Sequence, residues 1–402
     1  MFVGRVTSYA GSTFALVALP FAVLDLTGSA SDVGFVAAAR TLPQVVLLLA
    51  GGIWADRLPR HALMVGTNGV NAVAQGVTAA LLLSGSAQIW HLVVLQAVGG
   101  AAAAFFFPAS TGLVPQTVSP AHLQEANALL RLALNLSNMG GAAAAGFLVA
   151  GVGPGWAIVV DASSFVVSAL FLAAMRLPRG ERVEAANFLR ELALGWHEFR
   201  SRTWLWVIVV AFAFINAVDV GGFNVLGPVV AKRSLGGPAV WGLIVTAESV
   251  GLIAAGFLML RWRPERILFV GTAGVFASAP QFALLAVHAP VVLIAASTLV
   301  AGIGVEVFGV VWDTAMQQQI PQDRLSRVSS YDALGSFVFI PLGAAAAGPL
   351  AAALGLRATL WGCGVLVAFC ALAMVGVGDV RSLRRIDAES YTEAEVRSTA
   401  AS

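Results

Sequence analysis

Long apolar stretches recur along this sequence of 402 residues, and short polar segments separate them. About 20 apolar residues are enough to cross the hydrocarbon core of a bilayer as an α-helix. Judged by that length, the pattern predicts an all-α membrane protein with twelve transmembrane helices. The predicted spans are residues 5–26, 33–54, 62–83, 89–112, 127–150, 156–175, 204–230, 239–260, 267–287, 290–315, 328–352 and 358–378.

The composition indicates that the lipid bilayer is a partner of the chain. Hydrophobic residues make up 58% of it and charged residues 11%, whereas about 25% of an ordinary soluble chain is charged. The basic residues do not form one patch, which excludes nucleic acid as a partner. Cys363 and Cys370 have no metal-ligating or redox motif around them, so we expect neither a metal nor a cofactor.

The distribution of positive charge predicts the orientation. With the N-terminus inside, inner segments carry seventeen of the 23 Lys and Arg residues, outer loops carry three, and three lie within spans. Cytoplasmic loops of membrane proteins are enriched in Lys and Arg. We therefore expect a multi-pass protein of the cell membrane with both termini in the cytoplasm.

A polar segment in the middle of the chain divides it into two halves. Phe188, Leu192, Trp196 and Phe199 are spaced to share one face of a helix, which predicts an amphipathic helix on the inner membrane surface. The predicted organisation is an N-terminal six-helix half at 1–178, a cytoplasmic linker at 179–203, a C-terminal six-helix half at 204–378 and a cytoplasmic tail at 379–402.

The two halves resemble each other in sequence. The matched positions are Pro20 with Pro228, Gly34 with Gly242, Arg40 with Glu248, and the run Gly141–Gly146 with Gly343–Gly348. Such a repeat predicts two pseudo-symmetric halves, the architecture of transporters whose halves rock around a central site.

The segment between the second and third spans reads Gly52-Ile-Trp-Ala-Asp56-Arg57-Leu-Pro-Arg60-His61. It resembles the signature between helices 2 and 3 of the major facilitator superfamily, and this resemblance implies the major-facilitator fold. Within that signature Gly52 permits close helix approach, and Asp56 can accept hydrogen bonds across the interface of the halves. Arg57 and Arg60 belong in the inner headgroup region.

Further segments resemble the exporter branch of that superfamily, which includes macrolide-efflux and enterobactin-type exporters. They are Ala18–Pro20, Leu26–Ser29, Ala126–Leu129, Asp161–Phe165, Gln317–Pro321 and Gly195–Trp206. The resemblance implies a secondary active transporter that exports a drug, natural product or siderophore by proton antiport. Two exporter features are missing: the fourth span has no Arg, and Gly141-Ala142 stands where many exporters have Gly-Pro.

Ionisable residues inside the spans are the candidates for proton coupling, because charge within a membrane is costly and usually functional. Asp219, Glu248 and Arg40 lie near the midplane, and Glu306 lies nearer the inside. An acid in an apolar cavity can hold a proton near neutral pH, and Arg40 is the predicted counter-charge of at least one acid. The alternative is a fixed ion pair that never titrates.

Other residues near the ends of the spans are predicted to have simpler roles. We interpret Asp25, Asp161, Asp313 and Asp332 as caps or loop-end charges at the membrane surfaces. The candidates for lining a substrate cavity are Asn216, Asn224, Arg131 and Phe106. For Phe106 an orientation toward lipid is the alternative.

Three functional hypotheses follow from these observations. The first is a proton-coupled exporter of small molecules, expected to act as a monomer. The second is a facilitator or importer of the same fold, and the third is a membrane enzyme or a non-transporting protein. The sequence contains no phosphate-binding glycine loop, metal-ligand cluster or nucleophile–base arrangement, so we do not expect an enzyme.

Overall fold

The structure is a computed structural model that describes residues 2–57, 59–117, 123–175, 196–320 and 322–385. Within these ranges the helical path alone is described for 49–57, 60, 107–108, 111–112, 114–117, 123–128, 131, 322–323, 326–327 and 330. Every regular element in the described part is a helix.

Six helices form the N-terminal half. They are α1 (Phe2–Thr27), α2 (Ala30–Arg57), α3 (Arg60–Leu83), α4 (Ile89–Thr117), α5 (Leu123–Val152) and α6 (Pro154–Ala173). The end of α2 at Arg57 and the start of α3 at Arg60 fall within the predicted signature. The side chains of Gly52, Asp56, Arg57 and Arg60 lie outside the described residues, so their roles stay predictions.

The helices of the C-terminal half are less regular. They are α7 (Thr203–Leu235), α8 (Pro238–Arg261), α9 (Ile267–Ala286), α10 (Val291–Gln319), α11 (segments Gln322–Phe337 and Ile340–Leu354), α12 (Leu356–Gly376) and the short α13 (Gly378–Ser382). Two stretches of α7, Asp219–Leu226 and Ala231–Leu235, are π-helical, and α9 contains a 3₁₀ turn at Phe276–Ser278.

Ten of these helices, α1 and α4 to α12, contain described spans long and apolar enough to cross a membrane. The helix α3 is less apolar because its polar side chains form an inward stripe. Asn68, Asn71 and Gln75 in this stripe are buried, whereas Val70 and Val73 on the opposite face are exposed. Together with α2, this helix completes the predicted twelve-helix architecture.

Helix pairing repeats between the halves. In the N-terminal half α1 packs on α5 and α6, α2 on α4, and α3 on α4 and α6. The equivalent helices of the C-terminal half, six places later, make the same pairs: α7 with α11 and α12, α8 with α10, and α9 with α10 and α12. The pseudo-symmetric halves that the sequence predicts are confirmed.

Matched glycines form the contact between the halves, where α2 packs on α11 and α5 packs on α8. A methyl group at Gly34 would strike the carbonyl oxygen of Ala344, and one at Gly242 would strike that of Ala142. The repeated positions found in the sequence therefore meet each other across the interface. Small residues at such contacts let helix backbones approach closely.

The halves share one hydrophobic core at one end of the bundle. We call this the closed end; it contains the α1–α2 and α7–α8 connections. Phe21 and Val33 belong to this core together with Phe223 and Trp241. At the opposite end the described cores are separate. One is built around Met64 in the N-terminal half, and the other lies in the C-terminal half with the end of the linker.

The end of the linker docks on the C-terminal half. Residues 196–201 are helical, and Phe199 enters the separate core of that half. Trp196 is half exposed and packs against Phe199 and Tyr331. The predicted positions Phe188 and Leu192, and most of the linker, lie outside the described residues.

Glu198 fixes this linker end through two arginines. It accepts hydrogen bonds from Arg202 at 2.7 Å and from Arg324 at 2.6 Å. The hydrogen bond from Arg202, and after it the one from Arg324, holds the pKa of Glu198 below its ordinary value. Because Arg324 belongs to α11, the carboxylate joins the linker to the start of that helix.

Candidate functional site

A cavity of about 340 Å³ lies between α1, α2, α4, α5 and α7. Its walls combine a large apolar surface with a few polar groups. Among the described residues that line it, Arg40 is the only charged one. The polar lining residues are Tyr9, Ser12, Thr13, Arg40, Thr41, Gln44, Gln96, Asn138 and Asn224, and the larger apolar ones are Leu16, Leu19, Pro20, Val23, Val33, Val36 and Val220.

Close packing of α2 on α4 positions Arg40. A methyl group at Gly100 would strike the carbonyl oxygen of Arg40, so only glycine allows this approach. The neighbouring Gly99 leaves space for the guanidinium, since a Cβ there would lie 3.2 Å from Arg40 Nη1. The Arg40 side chain then donates to Gln96 Oε1 at 3.2 Å.

A buried chain of polar side chains runs from the cavity into the N-terminal half. Gln96 donates to Gln75 Oε1 at 3.3 Å, and Gln75 donates to Asp161 Oδ2 at 2.8 Å. Asp161 is 1% exposed, and Gln75 and Gln96 are each 2% exposed. The interpretation of Asp161 as a surface cap is therefore wrong, because its side chain points into the half rather than toward the membrane surface.

Hydrogen bonds connect Arg40 to Asp161 through Gln96 and Gln75. The role of Arg40 as counter-charge to Asp219, Glu248 or Glu306 stays a prediction. The signal that sequence reasoning missed is the stripe Thr67, Asn68, Asn71, Gln75 and Thr78, whose helical spacing marks a polar face of α3 directed toward α6 and α4.

The two predicted midplane acids of the C-terminal half lie on consecutive helices. Asp219 begins the π-helical stretch of α7, and Glu248 belongs to α8. The Asp219 carboxylate accepts a long hydrogen bond of 3.5 Å from Asn224, a lining residue of the cavity. Asn224 therefore connects Asp219 to the cavity.

Glu248 occupies the place in its half that Arg40 occupies in the other. A methyl group at Gly302 would strike the carbonyl oxygen of Glu248, just as one at Gly100 would strike that of Arg40. The repeat predicted these two matching positions. The structure shows that an equivalent glycine contact places both charged residues at the same level of their helix pairs.

The remaining predicted residues have other surroundings. Asn216 donates to the backbone oxygen of Ser336 at 3.0 Å and thereby joins α7 to α11. Phe106 packs against the separate core around Met64 rather than lining the cavity. Glu306 is half-buried on α10, and the side chain of Arg131 lies outside the described residues.

Comparison with known proteins assigns the chain to a family. The sequence model described as Major Facilitator Superfamily matches residues 1–330. The chain belongs to the major facilitator superfamily. Membership of this superfamily agrees with the helix order, the repeated pairing of helices and the cavity between the halves.

Two curated relatives within the superfamily are efflux proteins. The chain is 26% identical over 367 residues to the multidrug efflux pump Tap of Mycolicibacterium fortuitum, covering 88% of each chain. It is 22% identical over 388 residues to macrolide efflux protein A of Streptococcus pyogenes, covering 94% of this chain and 95% of that one.

Solved structures of other superfamily members share the fold. The nucleoside transporter NupG aligns with a TM-score of 0.69 at 15% identity, covering 93% of this chain and 98% of the other. A bacterial homologue of the iron transporter ferroportin, in an inward-facing state, aligns with a TM-score of 0.67 at 17% identity, covering 95% of this chain and 98% of that one. The family match over residues 1–330 identifies the protein as a membrane transporter rather than an enzyme.

Proposed function

We propose that this transporter exports small molecules from the cell in exchange for protons. The observation that carries the proposal is the interior acid Asp219, which Asn224 connects to the cavity, with Glu248 as a second interior acid on the next helix. Two carboxylates that repel each other in a low-dielectric site gain stability when one of them binds a proton or a cation. A proton and a cationic substrate therefore compete for the pair, and this competition is the basis of antiport.

The cavity supports an amphipathic substrate. Valine, leucine and proline side chains cover much of its wall, and the amides of Gln44, Asn138 and Asn224 offer hydrogen bonds. Such a site suits a drug, natural product or siderophore with a large apolar surface and a few polar groups. Efflux in Tap and macrolide efflux protein A supports export as the direction.

The orientation proposed for the chain follows the positive-inside rule. Seventeen cations on one side and three on the other support cytoplasmic termini in the cell membrane. In that orientation the closed end faces outward, and the separate cores of the two halves lie at the cytoplasmic end. We keep the boundaries 1–178, 179–203, 204–378 and 379–402, and a monomeric state, as parts of this proposal.

The test neutralises each acid alone. We expect Asp219→Asn and Glu248→Gln each to reduce uptake of a cationic drug into inverted vesicles with an acidic lumen by at least about tenfold. Exchange of labelled for unlabelled drug without a pH gradient should persist. Asp379→Asn is the matched control, because it removes the same charge from an exposed residue. Gradient-driven uptake at the wild-type rate in both variants would refute the coupling role.

A further inference from the structure

We propose that Asp161 is a second protonation site, which sets the net charge of the cavity by way of Arg40 without touching the substrate. This inference rests on the proposed function for its direction of coupling. It starts from an acid that the Asp219 and Glu248 pair does not use. Asp161 belongs to α6, which contributes no residue to the cavity wall among the described lining residues.

The two oxygens of the Asp161 carboxyl group have different surroundings. Its Oδ2 atom accepts the hydrogen bond from Gln75, and the Ser12 hydroxyl lies near the same group. In the described part of the chain Oδ1 has no hydrogen-bond partner although it is buried. A buried carboxylate oxygen without a donor is costly to keep charged. Oδ1 is therefore the atom on which a proton can reside.

A chain of hydrogen bonds connects Asp161 to the cavity. The amides of Gln75 and Gln96 lie in sequence between Asp161 and Arg40, with hydrogen bonds of 2.8, 3.3 and 3.2 Å along the chain. All three links are buried or half-buried, so water screens the interaction of the two charges weakly. The chain ends at Arg40, the one charged residue among the described lining residues.

Three helices, α1, α3 and α5, pack on α6 and determine which groups face Asp161. From α3 the facing group is Gln75, and from α1 it is Ser12 with the backbone at Gly11. The other ionisable residues of these helices whose side chains the structure describes are Arg5, Tyr9 and Asp25 of α1 and His61 of α3. Arg40 is the charged group that hydrogen bonds connect to Asp161.

The consequence is a change in the net charge of the cavity wall, from neutral to positive. When Asp161 is ionised it compensates Arg40, and the wall is neutral. When Asp161 takes a proton from solution, the positive charge of Arg40 is uncompensated and repels a cationic substrate. Proton binding and cation binding then oppose each other, which is the relation that antiport requires.

Equilibrium binding of two ions of the same shape tests this inference without a pH gradient. The probes are tetraphenylphosphonium, a cation, and tetraphenylborate, an anion, measured with purified protein at pH 6 and pH 8. We expect Asp161→Asn to weaken cation binding at pH 8 by about tenfold and to strengthen anion binding by a similar factor. A purely structural defect would weaken binding of both probes.

Two further variants complete the test. Arg40→Gln/Asp161→Asn should recover cation binding relative to Asp161→Asn, because it removes the uncompensated charge. Arg40→Gln alone keeps Asp161 and should bind the cation more tightly than the wild-type protein at pH 6. The expectation for Arg40→Gln can be tested even when Asp161→Asn does not elute as a monodisperse protein, because Arg40→Gln keeps Asp161.

Specific outcomes would overturn the inference. They are wild-type affinities for both probes in Asp161→Asn, and no gain at pH 6 in Arg40→Gln. Asp379→Asn serves again as the charge-matched control. Failure of the proposed function is a different result, namely unchanged export in Asp219→Asn and Glu248→Gln, and the binding measurements do not depend on it.

Discussion

At the residue scale, buried and exposed ion pairs differ in what they contribute. Lys232 and Asp25 join α7 to α1 at the closed end with a distance of 2.5 Å, but both side chains are exposed. Exposed pairs stabilise a fold by about 0–1 kcal/mol. Glu198 is 8% exposed and binds two arginines, so we expect it to stabilise its half more.

The first residue-scale prediction concerns Glu198. We expect Glu198→Gln to lower the free energy of unfolding by about 1–3 kcal/mol, because it removes charge-assisted hydrogen bonds to Arg202 and Arg324. The measurement is thermal unfolding of the purified protein. Glu265→Gln is the matched control, since Glu265 is exposed.

The pH dependence of the Glu198 contribution has a definite sign. The folded protein holds the pKa of Glu198 below its ordinary value, so its contribution is full above the unfolded pKa. That contribution is lost as the pH falls through the folded pKa. The difference between Glu198→Gln and the wild-type protein should therefore shrink in acid, and a difference that grows in acid would contradict this account.

The sequence predicted Asp219, Glu248 and Arg40 as interior charges but not the chain of hydrogen bonds that connects Arg40 to Asp161. Depth along a helix can be counted from its ends, at about 1.5 Å per residue. The direction of a side chain around the helix axis depends on packing, which a count of depth does not contain. For this reason Asp161 looked like a surface residue, although α6 turns it toward Gln75.

At the element scale, glycines decide how closely the helices of each half approach. Gly100 faces the Arg40 backbone, and Gly302 faces the Glu248 backbone. Backbone atoms cannot move aside as a flexible side chain can, so an added methyl group forces the two helices apart. The same contact in both halves makes these glycines a matched pair for mutagenesis.

The prediction at this scale is that Gly100→Ala and Gly302→Ala each destabilise the protein by about 1–3 kcal/mol through overpacking. Gly76→Ala on α3 is the control, because a Cβ there meets nothing within 4 Å. That control should be neutral or stabilising by up to about 1 kcal/mol, owing to the better helix propensity of alanine. The measurement is the temperature at which half of each purified variant is no longer monodisperse. Equal temperatures for Gly100→Ala, Gly302→Ala and Gly76→Ala would contradict the packing argument.

Apolar runs predicted where the helices lie but not their irregularities. The predicted span 358–378 agrees closely with Leu356–Gly376, whereas α4 continues past its predicted end to Thr117. The π-helical stretches of α7 have no signature in the spacing of the apolar residues. The helix α11 is interrupted just before Pro341, which has no backbone N–H to donate to the preceding turn.

At the scale of the whole molecule, packing rather than charge holds the closed end together. The shared core and the contacts of Gly34 and Gly242 join the halves there. The exposed pair of Lys232 and Asp25 adds little by comparison. Opening this end requires the halves to separate along a glycine-lined interface, which fits two rigid halves that rock around a central cavity.

The central claim is that substrate and protons move in opposite directions, and reversing the pH gradient tests it most directly. The protein is reconstituted in liposomes with the membrane potential clamped, and a cationic drug is followed with the lumen acidic and then alkaline. Protein-free liposomes and Asp219→Asn liposomes serve as controls. We predict that an acidic lumen drives the drug inward and an alkaline lumen drives it outward. Movement in the same direction as the protons, or movement that ignores the gradient, would contradict proton antiport.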